Sequence, residues 1–305
     1  MTLQTLQRQN IINALIEFRK NYTGSQADFC KAMGINASAY SQLKAGIRDN
    51  KPLEKIISDA VLVSIGRKLN VQVRGEVPWN IVRTETYEYV TAALEYCQAK
   101  SIGRIFCDIA DGGKTTAAKQ YMLTHQNVFY IDCGQCKEKS EFVRALGKVV
   151  GVNVQGSCKD IRRDTIFMLQ AMERPLVILD EWGDLGYTAF LEIKAYWNAL
   201  EDACGWYMMG ADGLKDKIER GIRKHVVGFT EMYRRLGGEC MNLTSKFDAV
   251  NLIAFKKRQV VSVAEHNLPN GVDLNDVIKN TLSLTRVKEN IRKVSGNELF
   301  KSEAA

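Results

Sequence analysis

Apolar residues follow two spacings along this chain. Over residues 4–20 they recur at helical intervals, with Leu6, Ile11, Ile12, Leu15, Ile16 and Phe18 separated by polar positions. The stretch SQADFCKAMGINASAYSQLKAGIRDN then predicts a short helix over 25–33, a tight turn at Gly34-Ile35-Asn36 and a second helix over 37–45 stopped by Gly46. Ser25 and Asn36 stand at the two helix starts, where their side-chain oxygens can accept from otherwise unpaired backbone N–H groups. A further helix is expected around 53–69, and VQVRGEVPWN reads as a linker.

After a helix over 84–99 the spacing changes. Runs that are apolar along their whole length (104–109, NVFYIDC, PLVILD, GWYMMGA) alternate with helical stretches at 114–124, 140–150, 160–173 and 188–203. Such alternation predicts an α/β fold with a parallel sheet covered by helices on both faces. Residues 246–295 return to helices only, and the tail NELFKSEAA is expected to fray. The expected division is an all-α domain over 1–75, a linker over 76–83, an α/β core over 84–245 and a helical segment with its tail over 246–305.

Composition is that of an ordinary globular protein, 46% hydrophobic and 25% charged. No window approaches the roughly 18 uninterrupted apolar residues of a membrane span, and the start MTLQTLQRQN lacks the apolar run of a signal peptide. A cytoplasmic, membrane-free protein is expected. The net charge of +7 favours an anionic partner, and residues 1–75 hold eleven Lys or Arg against five Asp or Glu, so nearly all of the excess is N-terminal. The eight cysteines are scattered and read as small buried hydrophobes. Cys133 and Cys136 have the C-x-x-C spacing of redox and zinc sites, but no second pair or histidine doublet accompanies them, so a strand end running into a turn is the expectation.

The chemistry is concentrated in Asp111-Gly112-Gly113-Lys114-Thr115-Thr116, between an apolar strand and a helix. Glycines there let backbone N–H groups curl round phosphates, a lysine neutralises the β and γ charges, and a hydroxyl at the helix start holds Mg²⁺. The pattern G-x-x-x-x-G-K-[ST] would place its first glycine at 108, where this chain has Asp108. Aspartate tolerates left-handed backbone angles, but it also brings a negative charge toward a polyphosphate. About 65 residues after the lysine, the strand Leu176-Val177-Ile178-Leu179 ends in Asp180-Glu181. Asp180 suits a hydrated Mg²⁺ on Thr115, and Glu181 suits activation of the attacking water.

The order of a G-K-T loop, an apolar strand ending in Asp-Glu, a strand ending in Gly210-Ala211-Asp212 and a helical C-terminal segment resembles the AAA+ ATPases. Within them it is most similar to the phage Mu transposition protein B group, ATP-dependent activators of target DNA, which carry a Cro-type helix-turn-helix domain in front. The similarity covers residues 10–75 and 80–295. It implies an ATPase using ATP and Mg²⁺, with slow turnover stimulated by DNA and oligomerisation, and a helical lid over 246–305. The implied partners are double-stranded DNA, further copies of the chain in an ATP-dependent oligomer or filament, and a transposase, in a bacterial host cell. The resemblance also implies a polar sensor after the fourth strand, for which Asp212 is nearest. It implies an arginine finger among Arg220, Arg223, Arg234 and Arg235, of which Arg235 in Met232-Tyr233-Arg234-Arg235 is favoured, and a second sensor at Arg286.

In the N-terminal module the helical positions place Phe29, Cys30, Met33, Ile35, Tyr40 and Leu43 inward, and Ser38, Ser41, Gln42 and Lys44 outward. Ser and Gln can bond to bases or phosphates, while Lys44 and Arg48 suit the DNA backbone. Two other readings stay open: a transcriptional regulator that senses nucleotide without turnover, and a helicase loader or related initiation ATPase.

Overall fold

The computed structural model describes residues 5–20, 22, 25–44, 56–69 and 79–302. The chain divides into two compact units, Met1–Trp79 and Asn80–Ala305.

The first unit holds helices α1 (Thr5–Lys20), α2 (Gln26–Met33), α3 (Ala37–Lys44) and α4 (Asp59–Lys68). Ser25 caps α2 by accepting from Asp28 N, and Asn36 Oδ1 accepts from Ser38 N at the start of α3. Between them the chain turns at Gly34, whose φ of 73° lies in the left-handed region that a side chain disfavours. Phe29, Cys30, Met33, Ile35, Tyr40 and Leu43 are buried with Ile11, Ile12 and Leu15 of α1 and Leu62 and Ile65 of α4. Arg8 of α1 grips Asp59 of α4 through two N–H···O bonds, 2.8 and 3.0 Å. The helix expected around 53–69 begins only at Asp59, which opens it with a carboxylate in the first turn, where helix N-termini favour negative charge. Residues 45–55 and 70–78, and with them Gly46, Arg48 and the first three residues of the linker expected over 76–83, lie outside the described residues.

The second unit is a five-stranded, wholly parallel sheet. Its strands are β1 (Gly103–Cys107), β2 (Val128–Asp132), β3 (Leu176–Asp180), β4 (Gly205–Gly210) and β5 (Cys240–Met241), in the spatial order β2-β3-β4-β1-β5. Successive side chains on a strand point to opposite faces. Ile105, Cys107, Val177, Leu179, Trp206 and Met208 enter one core, with α7 (Lys139–Val150), α8 (Cys158–Ala171), α9 (Tyr187–Ala199), α10 (Asp212–Arg223) and α11 (Phe229–Arg235). Phe106, Leu176, Ile178, Tyr207 and Met209 enter the other, beneath α5 (Glu85–Lys100) and α6 (Lys114–Thr124). Both faces are buried, which is why the strands read as unbroken apolar runs. Gly103 opens β1 without a side chain because a β-carbon there would come within 2.3 Å of the Trp197 ring.

Helices α12 (Ala249–Glu265), α13 (Leu274–Ile278) and α14 (Leu284–Ser302) follow. The tail expected to fray stays helical through Ser302; it contains no proline to interrupt the ladder. The strand expected over 104–109 ends at Cys107, where the chain leaves the sheet. This architecture, a parallel sheet covered by helices on both faces and followed by further helices, is the α/β fold class expected from the sequence. No helix among the described residues is long and apolar enough to cross a membrane.

Candidate active site

The loop from β1 to α6 and the end of β3 meet at the C-terminal edge of the sheet, the edge where open parallel α/β sheets bind ligands. Gly113, with φ 91°, turns the chain into α6, and Lys114 and Thr115 are the helix's first two residues. Thr115 Oγ1 donates to Asp180 Oδ2 at 2.7 Å, closing the distance between two motifs 65 residues apart. Asp180 is 2% exposed, and its other oxygen, Oδ1, accepts from Glu181 N at 2.9 Å. Glu181 adopts φ 49°, a left-handed conformation rare for a side-chain-bearing residue, and leaves its carboxylate exposed. Partial desolvation first, and then the charge of Asp180, raise the Glu181 pKa above the ordinary carboxylate value.

Lys114 is buried, and its Nζ donates to the backbone carbonyls of Asp108 (2.9 Å) and Ile109 (2.6 Å). Desolvation lowers its pKa, opposed by the charges of Asp108, Glu181, Asp180 and Asp212. Asp212 belongs to that charge constellation as the first residue of α10, where it is exposed and accepts from Gly213 N. Thr116 is exposed on the first turn of α6. The oxygen donors fit a hard divalent cation. Among the described residues no cluster of three or more His, Cys, Asp or Glu could hold a metal alone. A Mg²⁺ ion would therefore take the Thr115 hydroxyl, phosphate oxygens and waters, with Asp180 reaching it through water.

Asp108 differs from the expectation placed on it. It does not use a left-handed backbone, and its carboxylate is turned out of the loop. Oδ1 accepts from Ile109 N (2.8 Å) and from the Thr244 hydroxyl, and Oδ2 accepts from Leu243 N (2.7 Å) and Thr244 N (3.2 Å). The side chain is a bracket between the root of the loop and the segment after β5. The left-handed residue is instead Asp111, φ 59°, whose carboxylate accepts from Thr285 Oγ1 (2.6 Å) and Thr285 N (3.2 Å) at the start of α14. Leu284, one residue earlier, would lie 3.5 Å from a β-carbon at Gly113. Neither contact has a signal in local spacing.

Arg286 is exposed next to that clasp. Arg235 donates to Asn198 Oδ1 and pairs with Glu231 (3.0 Å), whereas its neighbour Arg234 is exposed and its guanidinium makes no hydrogen bond or ion pair among the described residues. Arg220 and Arg223 are also exposed, at the end of α10. Ser38, Ser41, Gln42 and Lys44 form the exposed face of α3 in the other unit, with Gln42 Nε2 on Ser38 Oγ at 3.3 Å. Cys133 and Cys136 lie in a short turn after β2, both buried. Burial pushes the thiol of Cys133 far up and that of Cys136 to about 11, so both stay protonated and inert.

No family model and no curated protein matches this chain. Among solved structures it is similar to the Orc1 protein of Aeropyrum pernix in complex with DNA, at 12% sequence identity and a TM-score of 0.51. The similarity covers 70% of this chain and 59% of the Orc1 chain, and at this identity the shared property is the fold.

Proposed function

We propose that this protein is an ATP-hydrolysing, DNA-associated AAA+ ATPase that assembles on duplex DNA in an ATP-dependent manner and selects or activates target DNA for a transposase. The observation that carries the ATPase reading is the Thr115 hydroxyl on Asp180, with Lys114 and Glu181 beside it at one sheet edge. Backbone N–H groups of the loop and the N-terminus of α6 receive the β- and γ-phosphates. Lys114 exchanges two neutral carbonyl acceptors for anionic phosphate oxygens, a stronger bond for an ammonium. Mg²⁺, where bound, neutralises charge between the β- and γ-phosphates. Glu181 orients a water and takes its proton as the water oxygen bonds to the γ-phosphorus. The bond to the bridging oxygen breaks, and ADP leaves. Asp212 is assigned the role of the polar sensor of the γ-phosphate, and Arg286, on α14, that of a second sensor.

A neighbouring copy would supply the arginine that stabilises transition-state charge. Arg235 would have to leave Glu231 and Asn198 to reach across, while Arg234 is already exposed. DNA contact is assigned to the exposed face of α3, with Ser38, Ser41 and Gln42 toward base edges and phosphates and Lys44 toward the backbone, and to Arg48, which lies outside the described residues. The basic excess of residues 1–75 agrees with this. The likeness to a DNA-bound Orc1 protein favours, as a second reading, an initiation or helicase-loading ATPase. Electron microscopy with duplex DNA and ATP, ADP or no nucleotide separates them. ATP-dependent filaments are expected; discrete ATP-dependent assemblies at one site would favour the second reading, and isolated dimers in every nucleotide state would refute both.

A further inference from the structure

Asp180 accepts a third bond that neither the loop nor the Asp-Glu strand supplies. The Tyr130 hydroxyl donates to Asp180 Oδ2 at 2.7 Å, the oxygen that also accepts from Thr115. Tyr130 belongs to β2, the strand at one edge of the sheet, and pairs with Ile178 of β3 while Asp132 pairs with Asp180. Its ring therefore starts two residues behind the carboxylate and reaches forward along the sheet to meet it. The ring is half-buried, with Lys119 Nζ of α6 5.1 Å from its centroid.

A carboxylate offers about four lone-pair positions. On Asp180 two at Oδ2 are taken by Thr115 and Tyr130, and one at Oδ1 is taken by Glu181 N. The acceptor that remains is on Oδ1. We propose that Tyr130 is a positioning residue for ATP hydrolysis: by occupying Oδ2 together with Thr115 it fixes the Asp180 carboxylate, leaving Oδ1 both to hold the Glu181 backbone and to receive a water of the Mg²⁺ shell. The inference rests on the ATPase reading above. It does not make Tyr130 a ligand of metal or nucleotide.

Tyr130→Phe keeps the ring and its contact with Lys119 and removes only the donor. Nucleotide binding is measured with a fluorescent ATP analogue, first in EDTA and then over a Mg²⁺ titration, and Mn²⁺ binding to the nucleotide complex is followed by electron paramagnetic resonance. The expected result is unchanged affinity in EDTA, with half-saturation moved to about 3- to 10-fold more Mg²⁺ or Mn²⁺, the size of one ordinary net hydrogen bond, because the lost bond positions the carboxylate and does not itself hold the ion. Tyr130→His, which offers a ring N–H, should recover part of the loss. In an Asp180→Asn background the same Phe change should have a much smaller effect, because the two residues act through one contact. Identical metal requirements in wild type and Tyr130→Phe, or additive effects in the double variant, would overturn the proposal. Tighter metal binding in Tyr130→Phe would overturn it too, showing that the phenol competes with the ion. If the Phe chain does not fold, Tyr130→His is compared with Tyr130→Leu, and equal requirements in those two would overturn it. A wild-type chain that binds no nucleotide at all would remove the ATPase reading itself, a result distinct from any difference between variants.

Discussion

Replacing Asp108 by glycine restores the loop pattern G-x-x-x-x-G-K-T, and a motif-based argument would expect nucleotide binding to improve. The structure predicts the opposite. The carboxylate accepts from Ile109 N, Leu243 N, Thr244 N and the Thr244 hydroxyl, and the residue is 6% exposed. Glycine leaves all four donors without this acceptor. A buried donor left unpaired costs about 1–3 kcal/mol, and the effects do not add because water and small shifts recover part of the loss. A total of about 3–5 kcal/mol follows, comparable with other broken buried polar networks. Asp108→Asn keeps one acceptor oxygen and should lose roughly half as much. Urea unfolding followed by tryptophan fluorescence reads this directly, since Trp182, Trp197 and Trp206 all sit in the core of the sheet unit. With a denaturant slope of about 2–3 kcal/mol/M, the midpoint of that unit should fall by about 1–2 M. ATP binding should weaken along with it. Asp108→Gly with an unchanged midpoint and tighter ATP binding would refute the bracket.

Glu181→Gln should bind ATP but turn it over at least about 10²-fold more slowly, whereas Lys114→Ala should fail to bind; equal loss of binding in both would remove the base role. Because desolvation and Asp180 raise the Glu181 pKa, the carboxyl is protonated at pH values where an ordinary glutamate is already ionised. The wild-type rate should therefore fall on the acid side at a higher pH than an ordinary glutamate would give, and a pH–rate profile of Glu181→Gln should lack that limb. Deleting residues 1–79 should weaken DNA binding and flatten its salt dependence while ATP binding persists, as titrations at several ionic strengths would show. Turnover should rise more steeply than linearly with protein concentration on DNA. Arg234→Ala or Arg235→Ala should lose that stimulation and regain part of it when mixed with Lys114→Ala; linear dependence without rescue would argue for a self-contained site.

The parallel sheet was readable because its strands are buried on both faces. Leu176 and Ile178 face one core and Val177 and Leu179 the other, so the run shows no polar interruption. The pairing of Thr115 with Asp180 was readable because each residue sits in a local pattern with its own chemistry. What escaped reading has no local pattern. β5 is two residues long and carries no period. Tyr130 reaches Asp180 only because the sheet order sets β2 beside β3, and Asp108 meets Thr244 across 136 residues of sequence. Asp108 was misread for a related reason: a side chain at the right place in a motif was assumed to face the ligand, when the chain beyond β5 offered it better donors.

The clasp of Asp111 on Thr285 spans 174 residues. Protein synthesis proceeds at about 5–20 residues per second, so roughly ten to thirty seconds separate the emergence of the loop from that of its partner on α14. Over the later part of that interval, once residue 181 has been made, a nascent chain contains the G-K-T segment, β3 and the Asp-Glu pair, yet lacks the helix against which the loop rests. The support of the loop is thereby tied to completion of translation through α14, and a ribosome-bound fragment ending before residue 285 presents the G-K-T sequence without it.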